Sequence, residues 1–213
     1  MGGGEWPAAL DLRGVTESVV TTLGPNGRWN LAALGLRSPG NDGAAGASDV
    51  EDGNPATGDG RVTARTWGRT RTRRNFTEHG GGYVQFTRDP RTFVDAALSI
   101  READEPVLEE ADAWVRVEVE RLDEGESGGT EWVDWALSPL ESRVVRRAVP
   151  TTNRGYYAVV EATIAASRLD VDAYDRAELI ERLRYFESVV GTAGGPAERE
   201  AFERVREYTD AEW

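Results

Sequence analysis

The chain has 213 residues, 39% of them hydrophobic, with no cysteine, a single histidine and a formal net charge of -13, which suits one ample domain or a domain with a smaller appendage. The missing cysteines exclude disulfides, thiolate metal sites and cysteine nucleophiles, and one histidine, His79, cannot build a multi-histidine metal centre. No apolar run approaches the ~18 residues of a membrane span, and the opening MGGGEWPAALDL lacks the basic and apolar segments of a secretory leader, so a cytoplasmic protein without membrane partners is expected.

Glu17–Leu23 is β-branched and apolar, GPNG is a turn cluster, and Trp29–Arg37 is a second apolar run. Together they predict an opening hairpin. Residues 38–60 are rich in Gly, Asp, Asn and Pro and have no periodicity, which predicts an acidic surface loop. In Arg61–Trp67, Val62, Ala64 and Thr66 alternate with Arg61, Thr63 and Arg65, the pattern of a strand. A short helix or turn is expected over Arg71–His79, ended by Gly80, Gly81 and Gly82, with the next strand at Tyr83–Phe86. Asp89 is a good N-cap and Pro90 suits a first helical position, with Phe93, Val94, Ala97 and Leu98 as the apolar face behind them.

Ala113–Leu122 alternates cleanly, with Val115, Val117 and Val119 on one face and Arg116, Glu118 and Glu120 on the other. DEGESGGT is expected to be a loop, and EWVDWALSPLESRVVRRAVP one or two further strands. Six or seven strands with two short helices suggest an antiparallel barrel. The texture changes near Thr151–Asn153. Tyr157, Val160, Glu161, Ile164 and Arg168 recur at helical spacings, and a second helix carries the stripe Leu179, Leu183, Phe186 and Val190, with Gly191 expected to stop it. A third helix starts at Pro196. The division is therefore 1–150 and 151–213.

All 25 basic residues are arginine. Such an acidic, lysine-free composition resembles that of proteins adapted to high intracellular salt, and GC-biased codon usage favours the same residues. Positive charge concentrates in one place: residues 61–91 hold eight arginines against two acids, with RTWGRTRTRRNFTEHG at 65–80 as the densest part. At ~1 M salt the Debye length is ~3 Å, so a basic cluster must act by contact. Arginine forks and threonine hydroxyls before a short helix are suited to a dianionic phosphate. Two other readings of the stretch stay open: a salt-bridged face, or single-stranded nucleic acid stacked on Trp67, Phe76 and Tyr83, which the net charge disfavours. A P-loop is excluded by the absence of lysine, and GGG at 80–82 falls between helix and strand, the reverse of the dinucleotide-binding order. EDG and DEGE do not fit a calcium loop.

Four segments in order carry a resemblance: ESVVTTLGPNGRWNLAALGL, RTRRNF, GGYVQFTRDPRTFVDAAL and YYAVVEATIAASRL. They are similar to the flavin-binding split-barrel superfamily, and within it to the largely archaeal family called domain of unknown function 447. The resemblance implies an α+β fold: a six-stranded antiparallel split β-barrel with a C-terminal helical subdomain. It implies a homodimer with FMN near the subunit interface, while the net charge of -13 leaves no nucleic-acid partner expected. Thr72 and Asn75 match the family's Thr-x-x-Asn element, so Thr72 is implied as the first phosphate contact, beside Thr70. Arg71, with Arg69 or Arg73, is implied to complete the anion pocket. Asn30, Leu31, Ala32, Ala33 and Gly35 match the strand whose backbone lies along the isoalloxazine ring. Gln85, implied as a further flavin contact, stands where the family usually has Asn, and Ala165 where its helix often has His. The function implied is that of an FMN-dependent oxidoreductase of flavin-reductase type, the alternative being a non-catalytic carrier or sensor. No catalytic residue is assigned, and no metal is expected.

Overall fold

A computed structural model describes residues 4–39, 60–149, 151–209 and 213. The acidic segment expected at 38–60 lies, apart from its ends, outside the described residues. Two compact units emerge, one from Met1–Phe86 and Glu102–Arg146, the other from Thr87–Arg101 and Arg147–Trp213.

In the first unit β1 (Val15–Leu23) and β2 (Trp29–Arg37) pair along their whole length, from Val15 opposite Arg37 to Leu23 opposite Trp29. Gly27, at φ 77°, lets the turn between them close, and its amide donates to the Gly24 carbonyl at 3.0 Å. The other strands are β3 (Val62–Trp67), β4 (Gly81–Phe86), β5 (Arg101–Ala103), β6 (Ala113–Ser127) and β7 (Thr130–Val144). The sheet runs β1-β4-β6-β7-β3-β2-β5, and the additional β1–β2 pairing closes the first six strands into an antiparallel barrel. This is the expected split-barrel architecture. The short β5, beside β2, has no signature in the sequence pattern.

The period-2 pattern explains the core. Val62, Ala64, Val115, Val117 and Val119 all point inward with Val20, Leu34, Leu36, Val84, Val133, Trp135 and Leu137. The loop expected at DEGESGGT is instead mostly strand. Here β6 continues to Ser127, β7 begins at Thr130, and only Gly128 and Gly129 turn, both at positive φ (54° and 78°), as tight two-residue hairpins require. The glycines at 80–82 also divide their roles. Gly80 caps a helix in the left-handed region, while Gly81 and Gly82 belong to β4. A Cβ on Gly81 would lie 2.4 Å from the Val117 carbonyl oxygen, and one on Gly82 2.7 Å from that of Thr21. Both positions exclude side chains because neighbouring strands come too close.

Alternation also puts Arg65 and Asp134 on the outer face, directly opposite one another in register. The Arg65 guanidinium makes two bonds to the carboxylate, Nε–Oδ1 at 2.7 Å and Nη2–Oδ2 at 2.8 Å, and stacks 4.0 Å from the Trp132 ring centre. Both side chains are at most 3% exposed. Trp132 lies across Gly125 on β6, where a Cβ would meet its ring at 2.6 Å.

The second unit holds α2 (Pro90–Leu98), α3 (Arg154–Ala166), α4 (Arg176–Ala193) and α5 (Pro196–Glu207). Asp89, Asn153 and Asp175 accept hydrogen bonds from first-turn amides of α2, α3 and α4, as good N-caps do. Gly195 precedes α5, and its amide donates to Glu198 at 2.8 Å. The buried face of α3 is the alanine one: Ala158, Val159, Ala162, Ala165 and Ala166 pack inward while Tyr157 is exposed. Small residues permit close approach, and a Cβ on Gly155 would fall 2.4 Å from the Gly194 Cα. Leu179, Leu183 and Val190 are buried as the stripe predicts, but Gly191 does not stop α4, which continues to Ala193. Asp95 on α2 is buried and takes donors from Arg204 at 2.6 Å, Tyr208 at 2.8 Å and Arg101 at 2.9 Å. No helix among the described residues is long and apolar enough to cross a membrane.

Removing one member of a buried ion pair strands the other. Asp134→Ala should cost about 3–5 kcal/mol of stability, while the paired replacement Arg65→Met with Asp134→Leu should recover most of it. Urea unfolding of the three proteins measures both effects.

Candidate functional site

The Arg/Thr stretch becomes helix α1 (Arg71–His79). Thr70 is the extended N-cap, and its hydroxyl accepts from the Arg73 amide at 3.2 Å. Geometry leaves the remaining first-turn amides without carbonyl partners inside the helix, and aligned peptide dipoles make that end attractive to anions. At the other end the Gly80 amide donates to the Phe76 carbonyl at 2.9 Å. Phe76 is 1% exposed and meets Trp135 edge-on at 5.4 Å, so the helix is anchored in the barrel core.

A polar layer lies beside that anchor. Asn75 is fully buried, and its Nδ2 donates to the Thr22 hydroxyl at 2.9 Å, while its Oδ1 accepts from Arg74 at 3.3 and 3.4 Å. Thr22 stands opposite Asn30 in the β1–β2 register. Asn30 is buried, and its amide makes one long bond, 3.4 Å to the Leu31 carbonyl. Thr72 lies one turn before Asn75 on the same helix face and is 4% exposed. Among the described residues its hydroxyl has no hydrogen-bond partner. That hydroxyl is nonetheless not sealed, since among the described residues only Trp213 Nε1 is a fully buried side-chain polar atom without a partner. Asn30, Thr72 and Asn75 are thus brought together, with Thr22 as the link. The sequence reading did not pick out Thr22, which is one of four hydroxyl residues in β1 (VTESVVTTL) and carried no signal of its own.

Arginines of the stretch are mostly compensated. Arg71 Nη1 lies 3.0 Å from Glu102, Arg73 Nη1 2.9 Å from Glu131, and Arg69 Nη2 3.5 Å from Glu131. Arg73 also donates to the Gly68 carbonyl at 3.3 Å. Hydrogen bonds from Arg69 and then Arg73 hold the Glu131 carboxyl below the usual glutamate range. Arg71, half exposed, is the first residue of the helix. Glu102 and Glu131 were not distinguishable in the sequence from any other acid.

The pleat separates the residues of the 30–35 run. Ala32 and Leu34 point inward with Asn30, whereas Leu31, Ala33 and Gly35 lie on the outer face, opposite Thr21, Val19 and Glu17. Gln85 serves that outer face as a clasp. Its Nε2 donates to the Thr21 hydroxyl at 3.0 Å and to the Pro106 carbonyl at 2.9 Å, and its Oε1 accepts from the Leu108 amide at 2.7 Å. Both of its donor hydrogens are therefore used in tying the 106–108 segment to β1 and β4. His79 closes α1, and among the described residues no cluster of three or more His, Cys, Asp or Glu is placed to hold a metal.

Comparison with known families gives this geometry a context. The chain belongs to the family described as protein of unknown function (DUF447). The family's N-terminal domain model matches residues 16–146 and the model of its C-terminal part matches residues 153–207. Among solved structures, the crystal structure of FMN-bound protein MM1853 from Methanosarcina mazei, of the same family, is 24% identical. The match covers 92% of this chain and 96% of that one with a TM-score of 0.74, which establishes the shared fold. The styrene monooxygenase flavin reductase from Pseudomonas putida S12 is more distant, at 15% identity and a TM-score of 0.39 over 67% of this chain and 86% of that one.

Two measurements check this geometry. Gln85→Leu should cost about 1–3 kcal/mol through the unsatisfied groups it leaves, with faster hydrogen exchange at the Leu108 amide. Glu131 should titrate below its ordinary value of 4.5. Its stabilising contribution is present above that value and is lost as pH falls through the lower folded one. In a carboxyl-carbon NMR titration, Arg73→Ala should move Glu131 upward.

Proposed function

We propose that this protein binds FMN with the phosphate at the first turn of α1, and that it works as a flavin-dependent oxidoreductase. The observation that carries the reading is the Thr72 hydroxyl: buried, unpartnered among the described residues, still open to solvent, and at the start of a helix whose first amides have no internal acceptor. Those are the donors a phosphomonoester requires. The shared fold with an FMN-bound protein of the same family supports the choice of phosphate ester.

In this reading Thr72 donates its hydroxyl proton to a phosphate oxygen, the open amides supply further donors, and Arg71 adds charge. Thr70 fixes where the helix begins. Asn75, held by Thr22, keeps the buried face of α1 in register with β1. The β2 segment from Asn30 to Gly35 lies along the isoalloxazine, with the small outward-facing Ala33 and Gly35 allowing backbone approach. Bound flavin supplies electron transfer, and the chain supplies position and electrostatics. A homodimer with the flavin near its interface, as the family resemblance implies, goes with this reading. The pairing of Arg69, Arg71 and Arg73 with Glu131 and Glu102 speaks against nucleic acid as the ligand.

Titration of FMN fluorescence tests the binding. Thr72→Val with Arg71→Ala removes two contacts of charged type, worth about 1.5–3 kcal/mol each, so FMN affinity should drop by about a hundredfold or more. Riboflavin, which lacks the phosphate, should bind the variant and the wild type alike. Equal loss for both ligands would place the phosphate elsewhere. Anaerobic reduction of the bound flavin by a nicotinamide or deazaflavin donor tests the oxidoreductase, and binding without reduction by either donor points to a carrier or sensor.

A further inference from the structure

The cation nearest the proposed phosphate is already shared. Glu102 Oε1 accepts from Arg71 Nη1 at 3.0 Å, and Oε2 accepts from Asn26 Nδ2 at 3.0 Å. Its backbone carbonyl accepts from Arg28 Nη2 at 3.4 Å, while Arg28 Nε pairs with Asp104 at 3.1 Å. Glu102 is thus held by donors from the β1–β2 turn and from α1, two elements other than its own β5. Its side chain is 25% exposed and that of Arg71 43%. With the Arg71 guanidinium this exposed, the ion pair itself contributes little to folding.

We infer that Glu102 is a specificity-determining residue: a fixed negative charge that lowers affinity for dianionic phosphate esters relative to their uncharged alcohols. This rests on the phosphate reading given above. A carboxylate and a phosphate flanking one guanidinium lie roughly 6 Å apart, and in the water-like dielectric of two partly exposed groups, with modest salt screening, the repulsion of a dianion corresponds to about a three- to tenfold change in binding. The uncharged alcohol does not feel it. Glu102 therefore narrows the gap between FMN and riboflavin, and it does so through charge, because its geometry is compatible with leaving the Arg71 contact in place.

Glu102→Gln tests this directly, since it retains an oxygen to accept from Arg71 and removes the charge. Glu102→Ala removes both, and thermal melting checks that each variant is folded. In fluorescence titrations at low salt, Glu102→Gln should bind FMN three- to tenfold more tightly than wild type and riboflavin equally well. The gain should shrink at ~1 M salt, where the Debye length is ~3 Å. Unchanged or weaker FMN binding by Glu102→Gln, or a gain shared by riboflavin, overturns the inference. The two readings fail differently: wild-type protein that binds no FMN removes the phosphate site itself, whereas wild-type binding with an indifferent Glu102→Gln removes only the role of Glu102.

Discussion

The insertion of Phe76 into the barrel is the contact on which the candidate site depends. Between β2 and β3 the seam is short, with only Leu36 opposite Ala64 and Arg37 opposite Thr63. By contrast β1 and β2 pair along nine positions. Helix α1 follows β3 after a turn at Gly68 and packs against β1, β2, β3 and β4. A buried aromatic of this size stabilises by roughly 1.5–3 kcal/mol, and its edge-on contact with Trp135 adds direction. With Phe76 fixed, Thr72, one turn before it, and the adjacent Asn75 have little freedom in where they point. The open end of the helix is then a fixed object rather than a fraying terminus.

Electrostatics in so acidic a chain follows a different logic from a simple basic patch. Abundant carboxylates find the arginines, and only some of the resulting pairs are structural. Arg65 and Asp134, sealed on the outer face under Trp132, exchange bidentate bonds where an unpaired charge would be costly. Asp95 plays the same part among the helices. Arg69, Arg71 and Arg73 are instead partly or largely exposed, in pairs that solvent screens. The local excess of arginine in the sequence therefore translates into few uncompensated cations.

Much of the barrel was legible because period-2 alternation survives in the strands that line the core, as in Val115, Val117 and Val119. Alternation also marked Arg65 as outward-facing, though not that an outward arginine is buried. DEGES failed as a strand signal because both of its faces are polar, and pairing of β6 with β7 outweighs that pattern. Gly191 failed as a stop because a single glycine costs a helix only ~1 kcal/mol, less than packing around Val190 returns. In the site, Thr72 and Asn75 were legible through spacing and resemblance. Thr22 and Glu102 were not, because their importance comes from register and from β5, a three-residue strand with no pattern of its own. Gln85 entered as a flavin contact through the resemblance alone, and its contacts clasp the 106–108 segment, which no sequence pattern signalled.

In the proposed reading two kinds of recognition are kept apart on one short helix. On its buried face, Thr72, Asn75 and the open amides are uncharged donors and acceptors, whose strength depends on distance and angle. On its exposed face, charge is supplied and partly cancelled by side chains that salt screens. Raising the ionic strength weakens the second set and leaves the first almost untouched. An anion seated against the first set keeps its orientation in concentrated salt, where steering by a basic surface would vanish. In the proposed reading the phosphate is held by neutral groups at contact distance, an arrangement that concentrated salt leaves intact.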